Sequence, residues 1–324
     1  MEKKYYNNLI VSSSPHLVSN ENTQRIMGMV ILALLPSLCV STYVFGPRVL
    51  ILTAVCMISA VLFEYLWNLL MKKPQTVGDL SAALTGLLIA FNVPSNLPYY
   101  IAIIGSFIAI VVVKNLFGGL GHNLFNPAIT ARIVLFIAFA TQMTTWPVPR
   151  GAETDAITGP TPLGILKNGG GEMPSNLDLF LGTVGGSMGE VSAIALLIGG
   201  LFLIWRKVIS PITPLCFIAT VAVIALLAGQ DPIFHICAGG VMLGAFFMAT
   251  DYVTSPLLPM GKVIFGIGCG LMTMLVRLFG NYPEGVSFGI LLMNILTPHI
   301  NNFCTNRLYK PKKKAKKGGA ANEE

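Results

Sequence analysis

Residues 49–71 read VLILTAVCMISAVLFEYLWNLLM, an apolar run in which Glu64 is the only charged side chain. An α-helix needs about 20 mostly apolar residues to cross the hydrocarbon core of a bilayer, and this run is long enough. Further apolar segments of varying length accompany it. The ten segments cover approximately residues 26–45, 49–71, 80–93, 98–115, 127–143, 191–205, 212–229, 233–249, 261–279 and 286–304. The sequence therefore predicts an all-α integral membrane protein with ten transmembrane helices.

The overall composition supports a membrane location. Of the 324 residues, 54% are hydrophobic and 11% are charged, whereas soluble domains carry about 25% charged residues. The polar segment 1–25 contains no short apolar core followed by a small-residue cleavage site, so we predict no cleaved signal peptide. The first helix would then act as its own insertion signal.

The basic residues predict the orientation, because cytoplasmic loops of membrane proteins are enriched in lysine and arginine. With the N-terminal segment 1–25 in the cytoplasm, most of the 21 basic residues lie on the inner side. The basic residues left for the outer side are Arg48, Arg150, Lys167 and Arg277. The lysine-rich tail 305–324 is then cytoplasmic, where its charge favours contact with lipid rather than nucleic acid. The polar interval 144–190 faces the extracytoplasmic side.

A weak internal repeat divides the chain into two halves. Leu-Phe-Gly at 116–118 recurs at 278–280, an offset of half the chain length. Two halves of five helices each must insert in opposite orientations because five is odd, which predicts two inverted five-helix repeats at 26–143 and 191–304. Inverted repeats of this kind place functional sites at the interface between the halves.

The third and eighth segments are short and occupy corresponding positions in the two halves. Phe-Asn-Val-Pro at 91–94 ends one of them, and Ala-Thr-Asp-Tyr at 249–252 ends the other. Short segments with polar ends at matched positions indicate a broken-helix binding site. Ordinary helix caps beside turns would give the same pattern, and the sequence leaves both interpretations open.

The interval 144–190 contains the stretch Asp-Ala-Ile-Thr-Gly-Pro-Thr-Pro-Leu at 155–163. Its glycine and prolines predict a loop that presents the Thr161 hydroxyl. The spacing Asp-x-x-[Ser/Thr]-Gly-x-Thr resembles the flavinylation motif, in which an extracytoplasmic flavin transferase joins the phosphate of FMN to the last threonine. The resemblance implies a covalent FMN on Thr161. It also implies that the transferase recognises Asp155 and Thr158, while Gly159 gives access to the backbone.

A glycine-rich stretch, Gly-Gly-Leu-Gly-His-Asn-Leu-Phe-Asn-Pro-Ala at 118–128, lies between the fourth and fifth segments. Asn126 precedes a proline, which predicts that it caps the fifth helix. The backbone amides here are also suited to holding an anion or a flavin edge, which makes Asn126 a candidate cofactor contact. His122 has no partner at metal-ligand spacing, and we predict no metal site.

Ionisable residues inside apolar segments are costly and indicate function. Glu64 and Arg132 lie within such segments, and one interpretation is that they pair with each other. Asp79 and Asp251 lie close to the inner ends of helices, where they either line a cation path or cap a helix. We therefore regard Glu64, Asp79 and Asp251 as candidates for an ion path.

Taken together, the ten apolar segments, the stretch 118–128, the motif at 155–163 and the Ala-Thr-Asp at 249–251 resemble the D subunit of the Rnf complex. That complex is an ion-translocating ferredoxin:NAD⁺ oxidoreductase of bacterial membranes. The same family holds the B subunit of the sodium-pumping NADH:quinone oxidoreductase, which normally has a longer N-terminal extension. The short segment 1–25 therefore favours the Rnf type.

The resemblance implies a subunit of a redox-driven pump in the bacterial inner membrane, with both termini in the cytoplasm. Electron flow from ferredoxin to NAD⁺ would drive Na⁺ or H⁺ export, and the subunit would relay electrons through FMN on Thr161. The resemblance also allows a second, non-covalent flavin, either riboflavin or FMN. The implied partners are the other Rnf subunits, the flavin transferase and membrane lipids.

Three other interpretations remain open from the sequence. The chain is either a B-type subunit of a sodium-translocating NADH:quinone oxidoreductase or an inverted-repeat transporter without redox chemistry. A purely structural scaffold for partner subunits is a further possibility. The transporter and the scaffold predict a colourless polypeptide, whereas the flavin hypothesis predicts fluorescence that survives denaturing electrophoresis.

Overall fold

The protein is a bundle of α-helices with a single two-stranded sheet among the residues described, as seen in a computed structural model. The structure describes residues 21–150, 158–168, 173–280 and 284–308. Asp155 and the terminal segments 1–20 and 309–324 lie outside these ranges.

The first half contains six helices. They are α1 Thr23–Phe45, α2 Arg48–Leu70, α3 Ser81–Phe91, α4 Tyr99–Phe107, α5 Pro127–Ala138 and α6 Ala140–Met143. A short 3₁₀ turn, Val77–Asp79, precedes α3. A π-helical segment, Ile108–Asn115, continues α4 directly. The predicted segments 26–45 and 98–115 correspond to helical runs, while the predicted segment 127–143 bends at Phe139 between α5 and α6.

The interval 144–190 is more structured than a loop. Its strand β1, Trp146–Pro147, pairs antiparallel with β2, Thr158–Gly159. Two short helices follow, α7 Pro162–Asn168 and α8 Asn176–Leu181. Pro162 fits the first turn of a helix because the missing N–H would have no partner there.

The second half has a similar number of helical pieces. They are α9 Ala193–Trp205, α10 Ile212–Leu227, α11 Pro232–Cys237, α12 Val241–Leu243, α13 Pro259–Phe279 and α14 Val286–Leu308. A π-helical segment, Gly244–Met248, continues α12. The predicted eighth segment, 233–249, is therefore interrupted between α11 and α12, where Gly239 adopts a φ of 69°.

The end of the interval 144–190 folds into the bundle. The N–H of Met188 donates to the carbonyl of Val93 at 3.2 Å, and the N–H of Gly189 donates to the carbonyl of Phe91 at 2.9 Å. A Cβ on Gly189 would lie 2.6 Å from the Cβ of Phe91, so only glycine allows this approach. Segment 186–192 is buried throughout, and it brings Glu190 into the interior.

The outer surface of the bundle is strongly apolar. One buried core, which includes Phe91, Phe217 and Phe265, joins the two halves. Large apolar side chains such as Ile58 and Leu227 are exposed, at 67% and 82%. An exterior with many exposed apolar side chains suits a lipid environment rather than water.

Helix lengths agree with a membrane protein. Within the described residues, α1, α2 and α13 are long and apolar enough to cross a bilayer. Other apolar helical runs are shorter and include Ser81–Phe91, Pro127–Ala138, Ala193–Trp205 and Ile212–Leu227. Short helices at membrane depth require buried non-helical backbone beside them, and the inserted segment 186–192 and the break between α11 and α12 provide it.

Candidate functional site

Thr161 lies at the start of α7 rather than in an open loop. Its side-chain oxygen accepts a hydrogen bond from the N–H of Gly164 at 3.1 Å, and its carbonyl accepts one from Ile165 at 2.9 Å. The residue is 6% exposed. Thr158 and Gly159 form β2 and pair with the strand β1. Thr161 is therefore held in a defined position by the helix cap that it forms.

Thr161 lines a cavity of about 250 Å³ with aromatic walls. Phe136 and Trp146 form its apolar sides, and Asn168 and Glu284 contribute polar groups. Ligand pockets for planar organic groups are typically apolar with a few placed polar side chains. These residues fit a flavin ring joined to Thr161. A second, smaller cavity shares Thr161 and Glu284 and adds Glu190 to its wall.

A buried charge cluster around Arg132 adjoins these cavities. Its guanidinium donates to Asn92 Oδ1 at 2.9 Å and to Glu190 Oε1 at 3.2 Å, and it also donates to Glu284. We refer to Arg132, Glu190 and Glu284 as the arginine cluster. The suggested pairing of Arg132 with Glu64 is wrong, because Arg132 on α5 faces the inserted segment and the start of α14.

The break between α11 and α12 wraps around this cluster. Arg277 on α13 donates to the carbonyl oxygens of His235 at 2.6 Å and Ala238 at 2.9 Å. These carbonyls end a helix and would otherwise lack partners. A Cβ on Gly240 would lie 2.7 Å from Glu190 Oε1. The broken helix thus gives the glutamate the room that it needs.

Glu284 precedes α14, and its carboxyl group has a raised pKa. Burial raises the pKa of this carboxyl from 4.5 to about 7, and the negative charge of Glu190 contributes to the rise. The positive charges of Arg132 and Arg277 oppose this shift. A carboxyl group with a pKa near neutrality can gain or lose a proton at physiological pH.

A second buried charge pair joins Glu64 on α2 to Lys114 on the π-helical segment. The Lys114 ammonium lies 2.9 Å and 3.0 Å from the two carboxylate oxygens of Glu64 and 2.6 Å from Ser81 Oγ. Asp79 accepts hydrogen bonds from the N–H and hydroxyl of Ser81, so it joins the same network. We refer to Glu64, Lys114, Ser81 and Asp79 as the lysine cluster.

The sequence did not indicate the role of Lys114. The distribution of basic residues predicts a cytoplasmic position for Lys114, yet its side chain is 3% exposed. Its position inside the predicted segment 98–115 was the available signal, since an ionisable residue there is costly unless it is paired. The structure brings Glu64 and Asp79 together through it.

The lysine cluster borders a cavity of about 100 Å³. Lys114 and Ser81 line one wall, and Asn126 and Asp251 are among the other lining residues. Burial raises the pKa of Asp251, and hydrogen bonds that include one from Thr254 oppose the shift. Asn126 and Asp251, both candidates from the sequence, therefore share a cavity with the network that holds Glu64 and Asp79.

Asn126 caps α5 as predicted. Its side-chain oxygen accepts hydrogen bonds from the N–H groups of Ala128 at 3.1 Å and Ile129 at 3.3 Å. Its amide nitrogen donates to the carbonyl of Met248 at 3.3 Å, which links α5 to the π-helical segment after α12. The cap is confirmed, and the same residue also lines the cavity.

The stretch before this cap depends on glycine. Gly118, Gly119 and Gly121 adopt φ values of 122°, 97° and 91°, which other residues rarely tolerate. His122 packs beside Gly118, whose Cβ would lie 3.2 Å from the imidazole. Among the residues described, no group of three or more histidine, cysteine or acidic side chains is placed to hold a metal ion.

An apolar helical bundle with buried charge clusters, an inserted segment and a broken helix defines an integral membrane protein with functional charges in its interior. A family model supports the same class. The model for the NQR2, RnfD, RnfE family matches residues 10–310. The chain belongs to this family.

Similar proteins carry the name of the D subunit. The D subunit of the Na⁺-translocating ferredoxin:NAD⁺ oxidoreductase complex from Acetobacterium woodii is 53% identical, covering 95% of this chain and 98% of the relative. The D subunit of a proton-translocating complex from Clostridium ljungdahlii is 44% identical, covering 90% of this chain and 93% of the relative. The D subunit of an ion-translocating oxidoreductase complex from Stutzerimonas stutzeri is 40% identical, covering 89% of this chain and 92% of the relative.

Proposed function

We propose that this chain is the D subunit of an ion-translocating ferredoxin:NAD⁺ oxidoreductase complex and carries FMN on Thr161. The names of its relatives support the complex and its partner subunits. One observation supports the covalent flavin most directly. Thr161, the last threonine of the flavinylation motif, lies on the wall of a cavity lined by aromatic side chains.

We further propose ten transmembrane helices in two inverted five-helix repeats within the bacterial inner membrane. The distribution of basic residues supports cytoplasmic termini and an extracytoplasmic interval 144–190. The short α3 and the interrupted α11–α12 occupy corresponding positions in the two halves, which supports the repeat. A flavin transferase on the outer side would then act on Thr161.

In this role Thr161 Oγ1 would anchor the phosphate, and the cavity walls formed by Phe136 and Trp146 would hold the ring and exclude water. Bound FMN supplies the one-electron redox chemistry, while the protein sets its position and potential. Glu284 lines the same cavity and can hold or release a proton beside the cofactor.

Two alternatives have support of their own. The family also includes NQR2, so a B-type subunit of a sodium-translocating NADH:quinone oxidoreductase fits the same fold. Buried acidic residues beside a cavity also suit a transporter without redox chemistry. Flavin fluorescence separates the transporter from both redox subunits, and the co-purifying partners separate the two redox subunits.

The test is flavin fluorescence of the chain after denaturing electrophoresis, using cells that contain a flavin transferase. Thr161→Ala should abolish the fluorescent band because the anchoring hydroxyl is gone. Thr144→Ala is the matched control, since Thr144 lines the same cavity but ends no flavinylation motif. A fluorescent Thr161→Ala chain would overturn the assignment.

A separate experiment tests the orientation. A cysteine introduced at Lys167 should react with a membrane-impermeant thiol reagent added to intact cells, in the wild-type background and in Thr161→Ala alike. Labelling in both shows that the variant still inserts. Labelling that requires broken cells would invert the proposed topology.

A further inference from the structure

The ammonium of Lys114 occupies a site built entirely from oxygen atoms. Both carboxylate oxygens of Glu64 lie within 3.0 Å of it, and Ser81 Oγ lies at 2.6 Å. The side chains of Glu64 and Lys114 are 2% and 3% exposed. A unit positive charge is therefore held by three oxygens out of contact with bulk water.

Further oxygen atoms contact the two side chains that hold the ammonium. The Thr76 hydroxyl donates to Glu64 Oε1 at 2.7 Å and accepts from Asn68 at 3.0 Å. Asp79 holds Ser81 through hydrogen bonds of 2.8 Å and 2.5 Å. If the ammonium left, two carboxylates and two hydroxyls would remain. Carboxylate and hydroxyl oxygens are the ligands that hard metal cations prefer.

Stability alone does not explain the pair. A buried ion pair is often no more stable than an apolar replacement of similar volume, because both charges lose their hydration. Two irregularities of the backbone also meet at this cluster. Lys114 lies on a π-helical segment, and Leu80, between Asp79 and Ser81, adopts a left-handed φ of 63°. Such features cluster at functional sites.

The cluster also has access to a space into which Lys114 can move. Lys114 and Ser81 line the cavity that Asp251 borders. Asp251 makes no ion pair with any residue in the described part of the chain. Lysine has a flexible stem and a compact charge, so its ammonium can leave one carboxylate for another.

We propose that the lysine cluster is a sodium-binding site in which the Lys114 ammonium is a tethered competitor of the ion. Na⁺ enters through the cavity and takes the place of the ammonium beside Glu64 and Ser81. Thr76 and Asp79, which contact these two residues, lie close by to complete the oxygen environment. The displaced ammonium turns into the cavity towards Asp251. One positive charge replaces another, so the Glu64 carboxylate stays neutralised in both states. This inference rests on the proposed role in ion translocation and assigns a site to it.

The test measures how easily Lys114 reacts in the wild-type complex. The purified complex is treated with an amine-acetylating reagent at fixed pH and ionic strength, in sodium chloride or in choline chloride. Peptide mass spectrometry gives the acetylated fraction of each lysine. We expect Lys114 to be protected in choline and to react several-fold faster in sodium. Lys72 is exposed and serves as the internal control, with equal labelling in both salts.

A variant defines the ligand. In Glu64→Gln the amide no longer holds the ammonium, so Lys114 should react at one rate in both salts. Labelling of wild-type Lys114 that does not depend on sodium would overturn the proposal and leave a structural ion pair. If potassium chloride increases the acetylation of Lys114 as much as sodium chloride does, the site is not selective for sodium and the proposal is overturned.

A second variant removes the competitor. The site is open to a diffusible ion only in the fraction of molecules in which the ammonium has left, and apparent affinity falls by that fraction. Lys114→Met should therefore move the sodium dependence of the thermal midpoint to about tenfold lower concentration. A thermal midpoint of Lys114→Met that does not change with sodium concentration would contradict the proposed sodium site. Flavin fluorescence of the same samples reports on the proposed cofactor independently.

Discussion

The arginine cluster and the lysine cluster are both buried, yet they differ in what their cations can do. Arg132 donates in several directions, to Asn92, Glu190 and Glu284, from a planar group that stays charged. Lys114 holds one carboxylate with a compact ammonium at the edge of a cavity. The arginine joins three separate parts of the chain, whereas the lysine fills a site that an ion of the same charge can take.

Charge in a membrane interior does not by itself indicate an ion path. The arginine cluster fixes the inserted segment, α14 and α3 around the broken helix, and it positions Glu284 beside the cavity that Thr161 lines. We interpret the lysine cluster as the part that exchanges its cation. Both are costly to bury, but only the second has a replaceable partner.

The largest expected effect comes from Arg132→Met. It leaves Glu190 and Glu284 buried without their main cation, and the expected loss of unfolding free energy is about 3–5 kcal/mol. Chemical denaturation in detergent measures it, with the exposed Arg206→Met as control. Lys114→Met in saturating sodium should cost clearly less, because the ion replaces the ammonium. Equal losses in the two variants would remove the distinction between the clusters.

A pH titration of the unfolding free energy tests the protonation of Glu284 in the arginine cluster. Folding raises the pKa of Glu284 from 4.5 to about 7, so the folded state binds the proton more tightly. The resulting stability is fully present below about pH 4.5 and is lost as the pH rises through 7. The wild type should lose roughly 3 kcal/mol across this window. Glu284→Gln keeps the shape without the titration, so it should lack this component. The same slope in the variant would assign the effect to another group.

Gly240→Ala tests how closely the broken helix surrounds Glu190. The added Cβ would lie 2.7 Å from Glu190 Oε1, so the glutamate must shift. The expected cost is about 1–2 kcal/mol of unfolding free energy, typical of overpacking. Gly186→Ala, where a Cβ meets no atom within 4 Å, is the matched control. A neutral Gly240→Ala would show that this part of the cluster is loosely held.

The smallest effect is expected at Asn126, in the wall of the cavity that the lysine cluster borders. Asn126→Ala removes the cap of α5, which should cost about 1 kcal/mol. Asn126→Asp keeps an oxygen that accepts from Ala128 and Ile129, so it should recover most of this loss. Thermal midpoints of both variants provide the measurement. If the aspartate variant is as unstable as the alanine variant, the hydrogen bond from Asn126 to the Met248 carbonyl contributes more to stability than the helix cap does.

The features that the sequence predicted well depend on neighbouring residues. Apolar segments follow from local composition, and the Asn126 cap follows from its place before Pro127. The buried partners do not, because Arg132 and Glu284 are 152 positions apart and Glu64 and Lys114 are 50 apart. Local patterns carry no information about which distant charges meet. The insertion of segment 186–192 escaped prediction because glycine and serine there also suit an exposed loop.

The burial of Thr161 was not predicted either. Its proline neighbours indicated a loop, yet Pro162 starts α7 and the threonine caps it. Proline suits both a loop and a helix start, so tertiary packing decides between them. The prediction that concerns chemistry, the FMN on Thr161, depends on the motif and remains to be tested.

The most direct test of the central claim is the intact mass of the chain purified from cells with an active flavin transferase. We predict a mass above that of the polypeptide by one FMN less one water, and the bare mass for Thr161→Ala. Tandem mass spectrometry should place the addition on Thr161. A wild-type chain with the bare polypeptide mass would contradict the covalent flavin.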